Sequence, residues 1–292
     1  MPALSIPTLL ASGPIVTDGA WGTQLQARGL KPGECPDAWN LSHPELVESV
    51  AAGYVAAGSR VILSNTFGAN RIVLAGHGLA AQAAAINRAG AAISRKAAGT
   101  SALVFASIGP SGKLLAADEV TAEELTLAFT EQARALKDGG ADAVVIETMT
   151  DPGEAEIACA AARAAGLPVV LSFTFDSGKN LDRTMNGLTP EAAAKIANEC
   201  GADAVGANCG LGITQLTPIL RRMRAATTLP LWAKPNAGRP TQIDGKDVYG
   251  SDAAAFAAAV PDLVSAGAAF VGGCCGSSPE VIAAIKSRLE RT

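Results

Sequence analysis

The stretch DAVVIETMTDPGEAEIACAAARAAGLPVVLSFTF, residues 142–175, contains the pattern that decides the fold. A short apolar run, DAVVIET, is followed by an Ala-rich segment of helical length and then by a second apolar run, PVVLSFTF. Continuous apolar runs of this length predict strands that are buried on both faces, and such strands belong to parallel sheets with helical crossovers. The stretch therefore predicts one strand–helix–strand unit.

The same unit repeats along the whole chain. We interpret eight apolar runs as strands, beginning at residues 14, 60, 102, 142, 168, 203, 229 and 268: PIVTDG, RVILSN, ALVFASIG, DAVVIET, PVVLSFTF, DAVGANC, LPLWAKPN and AAFVGGC. Eight such strands with right-handed crossovers predict an α/β protein whose sheet closes into a (β/α)8 TIM barrel, a single domain over residues 1–292. An open doubly wound sheet is the competing fold. The longer connections 20–43 and 176–189 follow strand ends and are candidate lids.

Composition narrows the classes of function. The 292 residues are 49% hydrophobic and carry a net charge of −4, so there is no basic surface for nucleic acid and no polybasic membrane anchor. The first 27 residues contain no Lys or Arg, and no apolar run reaches the ~18 residues of a membrane span, so we expect a cytoplasmic protein. In that reducing compartment, metal binding or burial explains six cysteines better than disulfides. Cys35, Cys159 and Cys200 lie outside the glycine-rich motifs and are interpreted as small buried hydrophobes.

The remaining three cysteines end two predicted strands. Cys209 lies in GANCG (206–210), and Cys274 and Cys275 are adjacent in GGCCG (272–276). Adjacent cysteines are poorly placed for a disulfide, whereas thiolates delivered from two strand ends suit tetrahedral zinc. Three protein ligands leave the fourth position open, as in a catalytic site. The alternative is a closed zinc knot or buried thiols, but the only histidines, His43 and His77, are not at predicted strand ends.

Other polar residues end the remaining strands and would share one rim of the barrel. Glu147 is a candidate partner for a substrate ammonium, or alternatively for an Arg or a helix N-terminus. The turn Asp18-Gly19-Ala20 offers a carboxylate and free backbone N–H groups that suit the polar end of an amino acid, unless the Asp only bonds its own backbone. We take Glu147 and Asp18 as candidate catalytic residues. Candidate substrate contacts are Asp18, Gly19, Asn65, Ser107 and Glu147.

Asn236 ends the strand between the two cysteine-bearing strands. Its amide oxygen is a weak zinc ligand that an incoming thiolate would displace, so it is a candidate fourth ligand in the substrate-free state. The alternative is an Asn that forms the PNAG turn or supports the ligands from behind. Lys234, in the same segment, is interpreted as a positioning residue and not as the Schiff-base lysine of an aldolase.

The chemistry of such a site favours a thiol substrate. Zinc with three thiolates carries a local charge near −1, which makes it a poor activator of water but a good ligand partner for another thiol of pKa ~8.5. Without a histidine at the rim, serine-type and cysteine–histidine hydrolysis lack their usual base. A zinc-carrying barrel that stores metal is the alternative of another class.

Seven motifs follow one another along the chain: DGAWGTQLQARG, SNTFGAN, ASIGPSG, VIETMTD, GANCG, KPNAG and GGCCG. Through these motifs the chain resembles the homocysteine S-methyltransferases over residues 15–290, and looks most like the homocysteine-binding module of cobalamin-dependent methionine synthases. The resemblance implies that homocysteine sulfur becomes the fourth zinc ligand and is methylated to give methionine. It also implies a set of roles: Cys209, Cys274 and Cys275 hold the metal, Glu147 and the Asp18-Gly19 turn hold the amino acid end, and Asn236 lies near zinc when substrate is absent.

The methyl donor is inferred from two features that related enzymes have and this sequence lacks, an aromatic cage and a corrinoid motif. Betaine enzymes of the family enclose the quaternary ammonium in an aromatic cage, whereas this chain has Gly68, Thr148 and Pro36 near the expected cage positions. Trp21 or Trp39 would have to substitute. The sequence contains no D-x-H-x-x-G corrinoid motif, so we expect methylcobalamin carried by a separate corrinoid protein. Betaine or a methylsulfonium compound is the alternative donor.

Overall fold

Eight parallel strands form the sheet that the sequence predicts. The computed structural model describes residues 4–210, 212–238, 240–243, 246–250 and 252–291. The sheet contains β1 (Ile15–Val16), β2 (Val61–Ile62), β3 (Leu103–Ile108), β4 (Ala143–Met149), β5 (Val169–Phe173), β6 (Ala204–Cys209), β7 (Leu231–Pro235) and β10 (Ala268–Val271). Their order is β1-β10-β7-β6-β5-β4-β3-β2, with parallel pairing throughout.

Short contacts bring the two ends of this sheet together. The Arg60 N–H donates to the Val16 carbonyl (2.9 Å), and the Leu63 N–H donates to the Asp18 carboxylate (2.7 Å). Strand β1 therefore lies beside β2, and the α/β barrel prediction is confirmed over the open-sheet alternative.

Helices lie between the strands. They are α1 (Ile6–Leu9), α2 (Gly22–Gln26), α3 (Trp39–Ser42), α4 (Pro44–Ala56), α5 (Arg71–Ala75), α6 (Ala83–Ala98), α7 (Ala122–Asp138), α8 (Pro152–Ala164), α9 (Pro190–Glu199), α10 (Ile213–Ala226), α11 (Ala253–Ser265) and α12 (Pro279–Leu289). Side-chain caps define several starts: Thr121 and Glu124 form a capping box at α7, and Asp151 caps α8. Within the described residues, no helix combines the length and apolar character that crossing a membrane requires.

An aromatic layer fills the middle of the barrel. The rings of Phe105, Trp232 and Phe270 have centroids 5.4–6.3 Å apart and belong to a cluster that also contains Ile6 of α1. Because side chains alternate along a strand, the residues two positions onward face the same interior, one layer nearer the carboxyl ends. Ser107 and Lys234 occupy that layer and are buried. The interior is therefore apolar below and polar above, where the site lies.

A two-stranded hairpin after β7 was not predicted. Strands β8 (Pro240–Ile243) and β9 (Lys246–Tyr249) pair antiparallel, with Pro240 opposite Tyr249. Their sequences, PTQI and KDVY, are too short and polar to be recognised as buried strands.

The predicted connection 20–43 contains α2 and α3, and 176–189 contains an isolated bridge between Ser177 and Arg183. Their role as lids stays a prediction.

Gly272 tests how closely β10 approaches β1. A Cβ atom at this position would lie 2.0 Å from Thr17 Oγ1 and 2.6 Å from the Asp18 carbonyl oxygen. We expect Gly272→Ala to lower the free energy of unfolding by at least about 2 kcal/mol, since backbone must move to admit the methyl group. Gly22→Ala is the matched control, because a Cβ at Gly22 meets nothing within 4 Å. Urea denaturation of both variants measures the difference, and equal midpoints would contradict the packing.

Candidate metal and substrate site

The three predicted metal ligands meet at the carboxyl ends of β6 and β10. The Sγ atoms of Cys209, Cys274 and Cys275 all lie within 4.8 Å of one another, and all three residues are partly exposed. Hydrogen bonds from Cys274 and Cys275 lower the pKa of Cys209 to about 3, and the same contact with Cys209 raises the pKa of Cys274. These pKa shifts favour a thiolate at Cys209 and neutral thiols at Cys274 and Cys275, so ionising all three together would require a cation.

The backbone at the end of β6 leaves the regular strand conformation. Cys209 has φ 62°, as does Thr148 at the end of β4. Non-glycine residues adopt this left-handed conformation at a cost of about 1–3 kcal/mol, and such strain concentrates at functional sites. Asn208 faces the barrel interior, so regular alternation would turn Cys209 away from it. The left-handed turn is how the strand presents Asn208 and Cys209 to the same site.

The cysteine pair is held by the end of β7. The Cys274 N–H donates to the Pro235 carbonyl (2.8 Å), and the Ala237 N–H donates to the Cys275 carbonyl (2.9 Å). Both bonds continue the sheet beyond its last strand residue. The backbone of the two adjacent ligands is therefore fixed by the neighbouring strand and not by a flexible loop.

Asn236 connects the two ligand-bearing segments. Its Oδ1 accepts from the Cys275 N–H (3.0 Å), and its Nδ2 donates to the Gly210 carbonyl (2.7 Å). This arrangement is the supporting role that the sequence left as the alternative. The amide oxygen keeps a second lone pair, so direct contact with a metal stays a prediction.

Glu147 lies in the polar layer of the barrel and is only 7% exposed. Its Oε1 accepts from Ser107 Oγ (2.5 Å), and its Oε2 accepts a longer hydrogen bond from Asn208 Nδ2 (3.4 Å). Burial raises the pKa of Glu147 to about 7, against the lowering effects of Lys234 and Ser107. A carboxylate in this environment lacks a full set of partners and favours a cationic ligand.

Asn208 is a site residue that the sequence analysis did not nominate. Its Oδ1 accepts from the Thr148 N–H (2.9 Å) and Ser172 Oγ (2.6 Å), and its Nδ2 donates to Thr148 Oγ1 (2.7 Å). It is buried and contacts Glu147, so it joins strands β4, β5 and β6 in one network. The signal was present: alternation along β6 places Asn208 inward, two residues after Gly206.

Asp18 has internal partners, which changes the interpretation of its turn. Its carboxylate is fully buried, forms an ion pair with Lys234, and accepts from Trp21 Nε1 (2.8 Å) and the Leu63 N–H (2.7 Å). The Lys234 ammonium is buried beside it, 5.9 Å from the centroid of the Trp232 ring. Three donors leave little of the carboxylate for a ligand, so contact between Asp18 and substrate stays a prediction.

The backbone of the same turn is also occupied. The Ala20 N–H donates to the Ser277 carbonyl (3.0 Å), so the prediction that this N–H is free is wrong. Tyr54 Oη donates to the carbonyls of Ala20 (2.6 Å) and Ser277 (3.0 Å), and a Cβ at Gly19 would lie 2.5 Å from the Ser277 oxygen. The turn is packed directly against the segment that follows the cysteine pair.

Asn65 anchors the first long connection. Its Nδ2 donates to the Pro36 carbonyl (2.7 Å) and to Asn40 Oδ1 (3.0 Å), and Asn40 Nδ2 returns a hydrogen bond to the Asn65 carbonyl (2.7 Å). Both amide protons of Asn65 are thereby used within the protein. Contact between Asn65 and substrate stays a prediction, and the side-chain oxygen, Oδ1, is the atom that would make it.

Comparison with known proteins identifies the family. A sequence model described as homocysteine S-methyltransferase matches residues 15–289. The chain belongs to this family. The family resemblance is thus confirmed.

Two curated relatives are methionine synthases. The chain is 30% identical to that of Mycobacterium tuberculosis over an alignment of 309 positions, gaps included, which covers 95% of this chain. It is 29% identical to that of Mycobacterium leprae over 310 aligned positions, which cover 97% of this chain. In each case the match covers 25% of the relative, so the chain spans about a quarter of the length of these proteins.

A solved relative has the same fold over its whole length. The metallated form of the homocysteine methyltransferase MmuM from Escherichia coli superposes with a TM-score of 0.82 at 26% identity, covering 97% of this chain and 99% of that one. An oxidized form of the same protein gives a TM-score of 0.80 at 26% identity, covering 94% and 96%.

Glu147 should lower stability at neutral pH. Burial raises the pKa of Glu147 from its ordinary value of 4.5 to about 7 in the folded protein. Between these pH values the folded state binds more protons than the unfolded state. The free energy of unfolding therefore falls as pH rises through this range. We expect the stability advantage of Glu147→Gln over the unaltered protein to grow by about 2 kcal/mol between pH 5 and pH 8. Chemical denaturation at both pH values measures it. Parallel pH dependences would show that Glu147 ionises normally.

Proposed function

We propose that residues 1–292 form a zinc-dependent barrel that transfers a methyl group to the thiolate of homocysteine, giving methionine. The observation that carries the proposal is the meeting of the three Sγ atoms of Cys209, Cys274 and Cys275 within 4.8 Å. Membership of the homocysteine S-methyltransferase family supports the acceptor, and the metallated form of the E. coli relative supports a metal.

The donor set suits zinc. Tetrahedral zinc with bonds of about 2.3 Å would separate its thiolates by roughly 3.8 Å, a distance compatible with three sulfurs that lie within 4.8 Å of one another. Sulfur ligands select soft ions and disfavour magnesium or calcium. When bound at the three cysteines, zinc lowers the pKa of the homocysteine thiol and keeps it as a nucleophile at neutral pH.

The protein residues orient the acceptor. Glu147 binds the homocysteine ammonium, and this partner supplies the positive charge that its buried carboxylate lacks. Ser107 and Asn208 hold the Glu147 carboxylate in place. The Asp18–Lys234 pair and the Asp18-Gly19 turn lie between β1 and β7 and border the amino acid end of the substrate. The acceptor sulfur then attacks the donor methyl carbon, an S–C bond forms, and the donor leaves with the electrons of the broken bond.

Methylcobalamin carried by a separate corrinoid protein is the donor that we propose. The two methionine synthase relatives are about four times as long as this chain, so most of their length lies outside the matched barrel. Two of the positions considered for an aromatic cage, Gly68 and Trp39, are poorly suited to it. A Cβ at Gly68 would lie 2.9 Å from Asp37 Oδ2, and Trp39 is buried against His43 with ring centroids 4.6 Å apart.

X-ray absorption at the zinc edge tests the central proposal. We expect about three sulfur neighbours without substrate and four with homocysteine, with release of about one proton per thiol bound. Cys274→Ser should lose the metal, since a serine hydroxyl does not replace an anionic thiolate. Cys159→Ser is the matched control and should retain it, because Cys159 is buried in α8 and its thiol contacts the Cys200 carbonyl. An unchanged sulfur count would favour the metal-storing barrel.

A donor panel tests the second half of the proposal. Without an aromatic cage a quaternary ammonium forfeits ~0.5–2 kcal/mol per ring contact, so betaine should support little methionine formation. A methylated corrinoid protein should support rapid formation, saturating with its concentration. A methylsulfonium compound at the same concentration completes the comparison. Efficient turnover with betaine or the sulfonium donor, and none with the corrinoid, would contradict the donor assignment.

A further inference from the structure

We propose that Tyr249 is a positioning residue of the metal site, whose hydroxyl donates a hydrogen bond to the Cys275 sulfur from the β8–β9 hairpin. The inference deepens the proposed function and rests on its assignment of Cys275 as a metal ligand. It gives the hairpin a task at the site, although the sequence analysis did not predict this element.

Tyr249 contacts both the ligand and the residue that follows it. A hydrogen bond from the Tyr249 side chain lowers the pKa of Cys275, against the larger raising effect of Cys209. The Tyr249 ring lies against the backbone of Gly276, where an added Cβ would be 2.3 Å from Tyr249 Cγ. Gly276 has φ 80°, so the chain turns there in a conformation that favours glycine and leaves room for the ring.

One segment of chain surrounds Cys275 on three sides. The Cys275 N–H donates to Asn236 Oδ1, its carbonyl accepts from the Ala237 N–H, and its sulfur accepts from Tyr249. The hairpin register keeps the last of these partners close to the other two, since Tyr249 pairs with Pro240. Asn236, Ala237 and Tyr249 therefore hold the backbone and the sulfur of a single ligand residue.

The chemical effect follows from the charge of the site. Three thiolates around a divalent ion leave excess negative charge on sulfur, and a neutral O–H donor disperses it without competing for the metal. Partners of this kind orient metal ligands, and their loss typically weakens metal affinity by about 10–100-fold. If the Tyr249 ring only filled space, removal of its hydroxyl would leave the metal affinity unchanged.

Tyr249→Phe separates the hydroxyl from the ring. We expect zinc affinity, measured by competition with a chromophoric chelator, to fall by about tenfold or more in Tyr249→Phe. In the cobalt-substituted protein, the sulfur-to-cobalt charge-transfer band should move to longer wavelength, because sulfur without its donor is more electron-rich. Tyr249→Ala removes the ring as well, and its affinity should fall further. The thermal midpoint of the metal-free Phe variant should match that of the unaltered protein.

The outcomes distinguish the possible roles. Unchanged affinity and an unchanged cobalt band in Tyr249→Phe, with losses only in Tyr249→Ala, would overturn the proposal and leave the ring as packing. Both readouts need only bound metal. A protein that holds zinc but transfers no methyl group would contradict the proposed function. The role of Tyr249 would still be decided by the zinc affinity and the cobalt band.

Discussion

Strand β7 is the constraint on which the site depends, because it lies between the two strands that carry the cysteines. Its last residue, Pro235, pairs in register with Cys209 of β6 on one side and accepts from the Cys274 N–H on the other. Parallel sheet bonds thus set the distance between ligands far apart in sequence. Asn236, the next residue, bridges the same two segments. The cysteine cluster is consequently set by the neighbouring positions of β6, β7 and β10 in the sheet.

The interior of the barrel explains why the acceptor end of the site is sensitive to charge. The aromatic layer of Phe105, Trp232 and Phe270 excludes water from below, and buried charges above it need partners. Lys234 is satisfied by Asp18. Glu147 forms no ion pair within the described residues, and burial raises its pKa despite the opposing effect of the Lys234 charge. The fold therefore keeps one carboxyl short of a positive partner, and a substrate ammonium is the group that would complete it.

Most of the fold and the metal cluster were predictable because both follow from local patterns. Eight apolar runs gave the strands, and cysteines at two strand ends gave the cluster. Asn208 was missed because attention was given to the last residue of each strand. Alternation along β6 turns Asn208 to the same inward face as Gly206, one residue before the strand ends. The Lys234 ion pair and the Ala20 hydrogen bond depend on strands β7 and β10 meeting β1, which no local pattern encodes. The polar hairpin carries no burial signal of its own, and its contact with Cys275 exists only in the folded chain.

The cysteine cluster and the first long connection, residues 20–43, lie at the ends of different strands of the barrel. The metal cluster and Glu147 come from strands β4, β6 and β10, with β7 holding them in register. The opposite part of the rim is closed by the first connection, where Asn65 holds Pro36 and the Gly68 N–H donates to Asp37. Burial raises the pKa of Asp37 to about 7, and its carboxylate takes up the space beside Gly68. An aromatic side chain at Gly68 would have to displace Asp37, and under the proposed donor assignment the connection need not enclose the methyl donor.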